Sequence, residues 1–222
     1  MKPIIFNTEM VRAILDGRKT VTRRVAFKAD ELREFPCSSY PDGWWFRGRV
    51  YARWEKAMKA VEGVMSLRKY RPGDTLWVRE TWAEMPYGFV YRADGEEPEG
   101  WEPDDRWRPS IHMPREVARI FLRVKDVRIE RLQQITNEDV SREGITPRWY
   151  GGGCKCSAYE PGCMEELCEN REAYERMCYG TPFLELWDRT IKPADRPTYG
   201  WDANPWVWVI EFERMSKNEA EK

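Results

Sequence analysis

The chain has 222 residues, with 37 basic and 38 acidic side chains, enough length for a full core and almost no net charge. The charge balance excludes a mainly electrostatic grip on long nucleic acid and leaves room only for a local basic patch. No apolar run approaches the roughly 20 residues that span a bilayer, and Met1-Lys2-Pro3-Ile4-Ile5-Phe6 turns polar too soon for a secretory signal. The composition therefore predicts a soluble, cytoplasmic protein with no membrane partner, built as one decorated domain over 1–222. Its cysteines should be reduced unless they hold metal. Twelve tryptophans and fifteen prolines favour aromatic packing and rigid turns over long helices.

In chain order, Asn7 caps a short helix, and Glu9 sits where the positive end of the helix dipole favours an anion. Met10, Val11, Ile14 and Leu15 form its apolar stripe and Gly17 its left-handed stop. Gly17-Arg18-Lys19-Thr20-Val21-Thr22-Arg23-Arg24 then delivers a lysine, threonines and arginines into a strand. Strand parity puts Thr20, Thr22 and Arg24 on one side, and Lys19 joins them only if the chain turns or bulges after Gly17. The stretch 30–71 reads as an insertion, with Trp44-Trp45-Phe46-Arg47-Gly48-Arg49 followed by helical spacing at Trp54, Ala57, Met58 and Val61. Were the former a strand, Trp45, Arg47, Arg49 and Tyr51 would share a face able to stack bases and meet phosphates. Core packing with solvated arginines explains the pattern equally well.

Beyond the turn Arg71-Pro72-Gly73-Asp74, a strand is predicted over Leu76–Trp82 and another over Gly88–Arg92, closed by Asp94-Gly95. Glu80 shares parity with Leu76, Val78 and Trp82, so it needs a partner such as Arg24 or a place at a pocket mouth. His112, the single histidine, lies between Ile111 and Met113 in a predicted strand, where packing competes with a functional role. Ile120, Leu122 and Val124 alternate with Phe121, Arg123 and Lys125, as in a sheet with one wet face. Thr136 caps a helix ended by Gly144, a further helix starts near Thr181-Pro182, and Trp206–Phe212 is apolar enough on both faces for an interior strand. The tail 217–222 reads as frayed. Many short strands with few helices predict an α+β chain built on a small closed barrel.

A second insertion, 146–180, is rich in glycine and cysteine and cannot build its own core. Cys154, Cys156, Cys163 and Cys168 have the spacing of four thiolates around a tetrahedral structural Zn2+, and one-residue spacing suits a disulfide poorly. A reduced, metal-free loop and disulfides are the alternatives. Cys178 can replace one ligand, and Cys37 reads as an ordinary thiol. Four thiolates leave no open position for water, so such a metal would organise the loop and take no part in catalysis.

Gly17, Lys19, Thr22 and Arg24 match the signature of the ASCH domain family, within the PUA-like superfamily of small barrels: glycine, any, lysine, two of any, glutamate or threonine, any, arginine. Pro72–Trp82, Trp107–Pro114 and Trp201–Trp208 resemble segments of phage and prophage members. The resemblance implies a PUA-like mixed barrel with short flanking helices, working in a bacterial host. One branch of the family removes the acetyl group from N(4)-acetylcytidine with a lysine, a threonine and a glutamate. Lys19 and Thr22 match its first two, and aligning the helix start at Ile135-Thr136 puts Glu143 in place of the third. This chain is about twice as long as that branch, carries the cysteine insertion, and has Arg23 where the branch has an apolar residue.

The chemistry is self-consistent. Thr22 attacks if a neutral Lys19 takes its proton, Arg23 and Arg24 crowd that amine with positive charge, and Glu143 supplies a proton to the leaving amine. Arg24, Glu80, Arg23 and His112 are the expected substrate-binding groups. The competing expectation is a non-catalytic reader, in which the same barrel binds a modified base or single-stranded RNA through Arg24, the region of Trp45, Arg47 and Arg49, and the zinc loop.

Overall fold

The computed structural model describes residues 1–28, 30–65, 69–95, 97–102, 104–146 and 181–221. The chain is α+β and divides into two compact units: Met1–Arg24, Met58–Ile129 and Trp208–Lys222 in the first, Val25–Ala57 and Glu130–Val207 in the second. Among the described residues, no helix is long and apolar enough to cross a membrane.

The first unit carries β1 (Lys2–Ile5), β6 (Thr75–Arg79) and the adjoining parts of β2 (Val21–Phe27), β9 (Phe121–Arg131) and β10 (Trp206–Met215). These strands form one sheet in the order β1-β6-β9-β10-β2, with β1 parallel to β6 and β6 antiparallel to β9. The predicted closed barrel is not formed among the described residues: β1 and β2 are the two edges, with no backbone ladder between them. In a flat five-stranded sheet these edges would lie about 19 Å apart. Yet Arg24 Nη2 on β2 donates to the Ile5 carbonyl at the end of β1 at 3.0 Å. The sheet is therefore curled until one side chain bridges its edges, a step short of closure.

Both faces of this sheet are dry at its centre. Leu76, Val78, Leu122, Val124, Ile210 and Phe212 pack with Ile4, Phe6, Val11 and Ile14 in one cluster, while Trp77 and Phe121 join Trp82, Met113 and Val117 in another. The alternation expected along β9 holds at Arg123 and Lys125, which are exposed, but Phe121 is buried because the second cluster covers its end of the strand. Helix α1 (Thr8–Leu15) forms as predicted, with Asn7 Oδ1 accepting from the Met10 N–H at 2.8 Å and Glu9 in its first turn. The strand predicted over Leu76–Trp82 is broken at Glu80 and Thr81, and β7 (Trp82–Met85) pairs with β8 (Gly88–Tyr91) as a separate hairpin. Residues 217–222 are not frayed throughout, since α6 (Lys217–Ala220) is held by a reciprocal Ser216–Glu219 cap and buries Ala220.

In the second unit, β3 (Leu32–Glu34), β4 (Trp44–Phe46) and β5 (Arg49–Tyr51) form an antiparallel sheet. Trp54 stacks on Trp206 with centroids 6.0 Å apart and meets Trp44 at a 58° tilt with centroids 4.4 Å apart, and Arg131 lies over Trp206 at 4.4 Å. Helix α2 (Trp54–Met65) realises the helical spacing of 30–71, with Ala57 and Val61 fully buried. Helix α3 (Asn137–Arg142) is capped by Thr136, α4 spans Thr181–Thr190 and α5 Arg196–Tyr199.

Candidate active site

The handover from α1 to β2 sets the first three groups. Gly17 takes φ +76, a left-handed conformation in which a β-carbon is strained, and its N–H bonds the Ile14 carbonyl. The chain thereby doubles back far enough for the Lys19 N–H to donate to the Ala13 carbonyl at 2.9 Å. This is the turn that the strand parity required. Lys19 Nζ then points inward, donating to the Val21 carbonyl at 2.8 Å, and sits 5.5 Å from the Phe6 ring centre. Arg24 covers the same ring at 5.3 Å and donates from Nη1 to Thr22 Oγ1 at 2.8 Å. An amine and a guanidinium thus flank one aromatic ring, and the guanidinium holds the Thr22 hydroxyl.

Burial separates these groups from ordinary surface polarity. The buried polar or charged side chains among the described residues are Lys19, Thr22, Arg23, Glu80 and Glu143, each at most 4 % exposed. All five were singled out as site candidates from sequence. Burying charged groups costs several kcal/mol apiece before compensation, and such departures from an apolar interior concentrate where function requires them.

Glu80 continues the register next to Phe6, because Ile5 pairs with Arg79 and the Phe6 N–H donates to the Arg79 carbonyl. Its expected partner, Arg24, is replaced by Arg119, whose Nε and Nη2 reach the two carboxylate oxygens at 3.0 and 3.1 Å. Arg24 instead uses its donors on Thr22, Arg23 and Ile5. Arg119 also pairs with Asp94 at 2.7 Å and lies 3.9 Å over the Tyr91 ring. Desolvation pushes the Glu80 carboxyl above its usual value, against the opposing pull of Arg119. For Arg119, desolvation works downward, but the bonds and charges of Glu80 and Asp94 outweigh it and raise its pKa. The same burial raises the Tyr91 hydroxyl, which donates to the Val117 carbonyl at 2.7 Å. The Arg119–Asp94–Tyr91 surround was missed in the sequence, where the only cue was a lone arginine preceding an apolar strand.

Glu143 belongs to the second unit. It forms the C-terminal cap of α3, its N–H bonds the Asp139 carbonyl at 2.8 Å, and Gly144 follows with φ +84. His112 is not in a strand: it ends the 3-10 turn Ser110–His112 with its side chain exposed, because the carbonyls of Ile111 and Met113 are turned toward Arg79. The shared face expected of Trp45, Arg47, Arg49 and Tyr51 does not exist. Arg47 and Gly48 both take positive φ and turn the chain between β4 and β5, so Trp45 pairs with Val50 while Arg49 pairs with Phe46 on the opposite face. Arg47 is spent on Glu31 and on the rings of Phe27 and Phe46. Cys37 sits half-buried in the turn it forms with Tyr40. The proposed zinc ligands Cys154, Cys156, Cys163 and Cys168, and Cys178 with them, lie outside the described residues.

Compared with known proteins, the chain matches no family model, and no curated protein or solved structure is significantly similar to it.

Proposed function

We propose that this chain is a divergent ASCH-type, PUA-like hydrolase that removes an acyl group from the exocyclic amine of a modified cytosine nucleoside, as in N(4)-acetylcytidine. The observation that supports the reading best is the burial of Lys19 and Thr22, with Lys19 and Arg24 at the Phe6 ring and Arg24 on the threonine hydroxyl. In this scheme Thr22 Oγ1 attacks the acyl carbonyl carbon as Lys19 Nζ takes the hydroxyl proton. The C–N bond then breaks, the cytosine amine leaves with a proton supplied by Glu143, and water hydrolyses the threonyl ester. One local feature favours the attack. A guanidinium donating to Thr22 Oγ1 at 2.8 Å favours loss of the hydroxyl proton before attack.

Arg23, Arg24, Glu80 and His112 remain the substrate-binding candidates of this proposal. Phage or prophage origin, work in the bacterial cytoplasm and a structural Zn2+ on Cys154, Cys156, Cys163 and Cys168 are proposed alongside it. The test is incubation with N(4)-acetylcytidine, following release of cytidine. Wild-type protein should turn over, and Lys19→Ala, Thr22→Ala and Glu143→Gln should each lose about 100-fold or more. Absence of turnover with retained binding of modified oligonucleotides would favour the non-catalytic reader.

A further inference from the structure

Beside the Phe6 cluster the first unit holds an open cavity of about 720 Å³, within the size range of small-ligand sites. One wall is α1, through Thr8 and Arg12; another is the 3-10 turn Arg92–Asp94; and the third carries Trp101 and Trp107. The walls are tied together. Arg12 donates from Nε to the Ala93 carbonyl at 2.8 Å and from Nη2 to the Arg92 carbonyl at 3.2 Å. Trp101 stacks on Trp107 with centroids 4.8 Å apart and planes 29° from parallel, and Arg92 lies 5.8 Å from the Trp107 ring centre. Trp101 is half-buried and lines the cavity.

The lining discriminates among ligands. Arginines at 12, 92 and 106 are matched by carboxylates at 97, 102 and 105, so a bare anion or a bare cation gains little. A planar, nearly neutral heteroaromatic ring with both donor and acceptor edges suits stacked tryptophans flanked by both charge types, and nucleobases stack on such platforms whatever their sequence.

The cavity adjoins the candidate active site by two routes. Thr8 follows Phe6 by two residues, at most roughly 7 Å of chain. Asp94, between Arg92 and Gly95 of the cavity wall, is bound by Arg119, the partner of Glu80. We infer that this cavity is a second nucleobase subsite, which stacks the nucleotide next to the acylated cytidine on Trp101, so that the substrate is a single-stranded oligonucleotide and not a free nucleoside. The inference rests on the hydrolase reading for the occupant of the first site.

The test compares free N(4)-acetylcytidine with a short single-stranded RNA carrying one internal N(4)-acetylcytidine, measuring kcat/KM for both and RNA binding by fluorescence anisotropy. Wild-type, Trp101→Ala and Trp101→Phe full-length proteins are used. Wild type should prefer the RNA. Trp101→Ala should reduce the ratio of RNA to nucleoside kcat/KM by about 5- to 150-fold, the worth of one stacked base, and Trp101→Phe should restore most of it. Nucleoside turnover serves as the internal reference for folding. A wild-type ratio near one, or an identical ratio in all three proteins, overturns the subsite. If neither substrate turns over, Trp101-dependent RNA binding upholds the subsite while the hydrolase reading falls, and Trp101-independent binding overturns both.

Discussion

Replacing Arg119 by methionine should destabilise the protein in a way that acid partly repairs. Arg119 holds both oxygens of Glu80, a carboxylate 1 % exposed, at 3.0 and 3.1 Å. Removing one partner of a buried pair costs roughly 3–5 kcal/mol because the other charge is left uncompensated. Arg119 itself is 27 % exposed, so water reaches part of the pair and the lower end, about 3 kcal/mol, applies. For a chain of this length that is a fall in Tm of about 6–12 °C. Burial already raises the Glu80 carboxyl above its ordinary value of 4.5, with Arg119 pulling it down. The folded state therefore holds this proton more tightly than the unfolded chain. The group's contribution is full below that ordinary value and is lost as pH rises through the folded value. Without Arg119 the folded value rises further. The Tm difference between Arg119→Met and wild type, followed by circular dichroism, should then be largest near neutral pH and shrink toward pH values of about 4. A second substitution, Glu80→Leu, should recover stability in the Arg119→Met background at neutral pH. An equal Tm deficit at all pH values, or a double variant less stable than Arg119→Met alone, would refute the reasoning.

Two further predictions concern structure elsewhere. Gly17→Ala should cost about 1–2 kcal/mol through its positive φ, since a β-carbon there meets nothing within 4 Å, and Gly17→Asn should cost less because asparagine tolerates that conformation; urea denaturation of the two variants decides. Protein purified without added metal should carry one zinc ion per chain, and a chelator should make the 146–180 segment susceptible to protease while the remainder resists; well under one ion per chain by elemental analysis contradicts the zinc loop.

What the sequence disclosed was set by local chemistry. The Asn7 cap, the Gly17 stop, the Thr136 cap and Gly144 each depend on side chains within four residues, so α1 and α3 were readable with their ends. The two-faced apolar run from Trp206 to Phe212 likewise announced an interior strand. Failures came from longer-range or rarer events. The curl that brings Arg24 to Ile5 without a β1–β2 ladder involves groups 19 residues apart, and the Glu80 partner lies 39 residues away. An arginine at positive φ in the β4–β5 turn carries none of the usual glycine or asparagine signal at its first position, so the sequence could not separate a hairpin from a single strand. Of the buried polar residues, Glu80 was legible because it interrupts the apolar face of Leu76 and Val78, whereas Lys19, Thr22 and Glu143 were picked out by the resemblance to the ASCH signature. Arg119, Asp94 and the Trp101–Trp107 stack interrupt no pattern, and only the folded chain assembles them.

The account turns on Thr22 as the group that accepts the acyl chain. Peptide mapping by mass spectrometry, after rapid mixing with N(4)-acetylcytidine and acid quench, tests this directly. The account predicts an acetyl ester on Thr22 that is absent from Lys19→Ala. Cytidine released by Thr22→Ala at the wild-type rate, with no acetyl group on residue 22 of the wild-type protein, would contradict it.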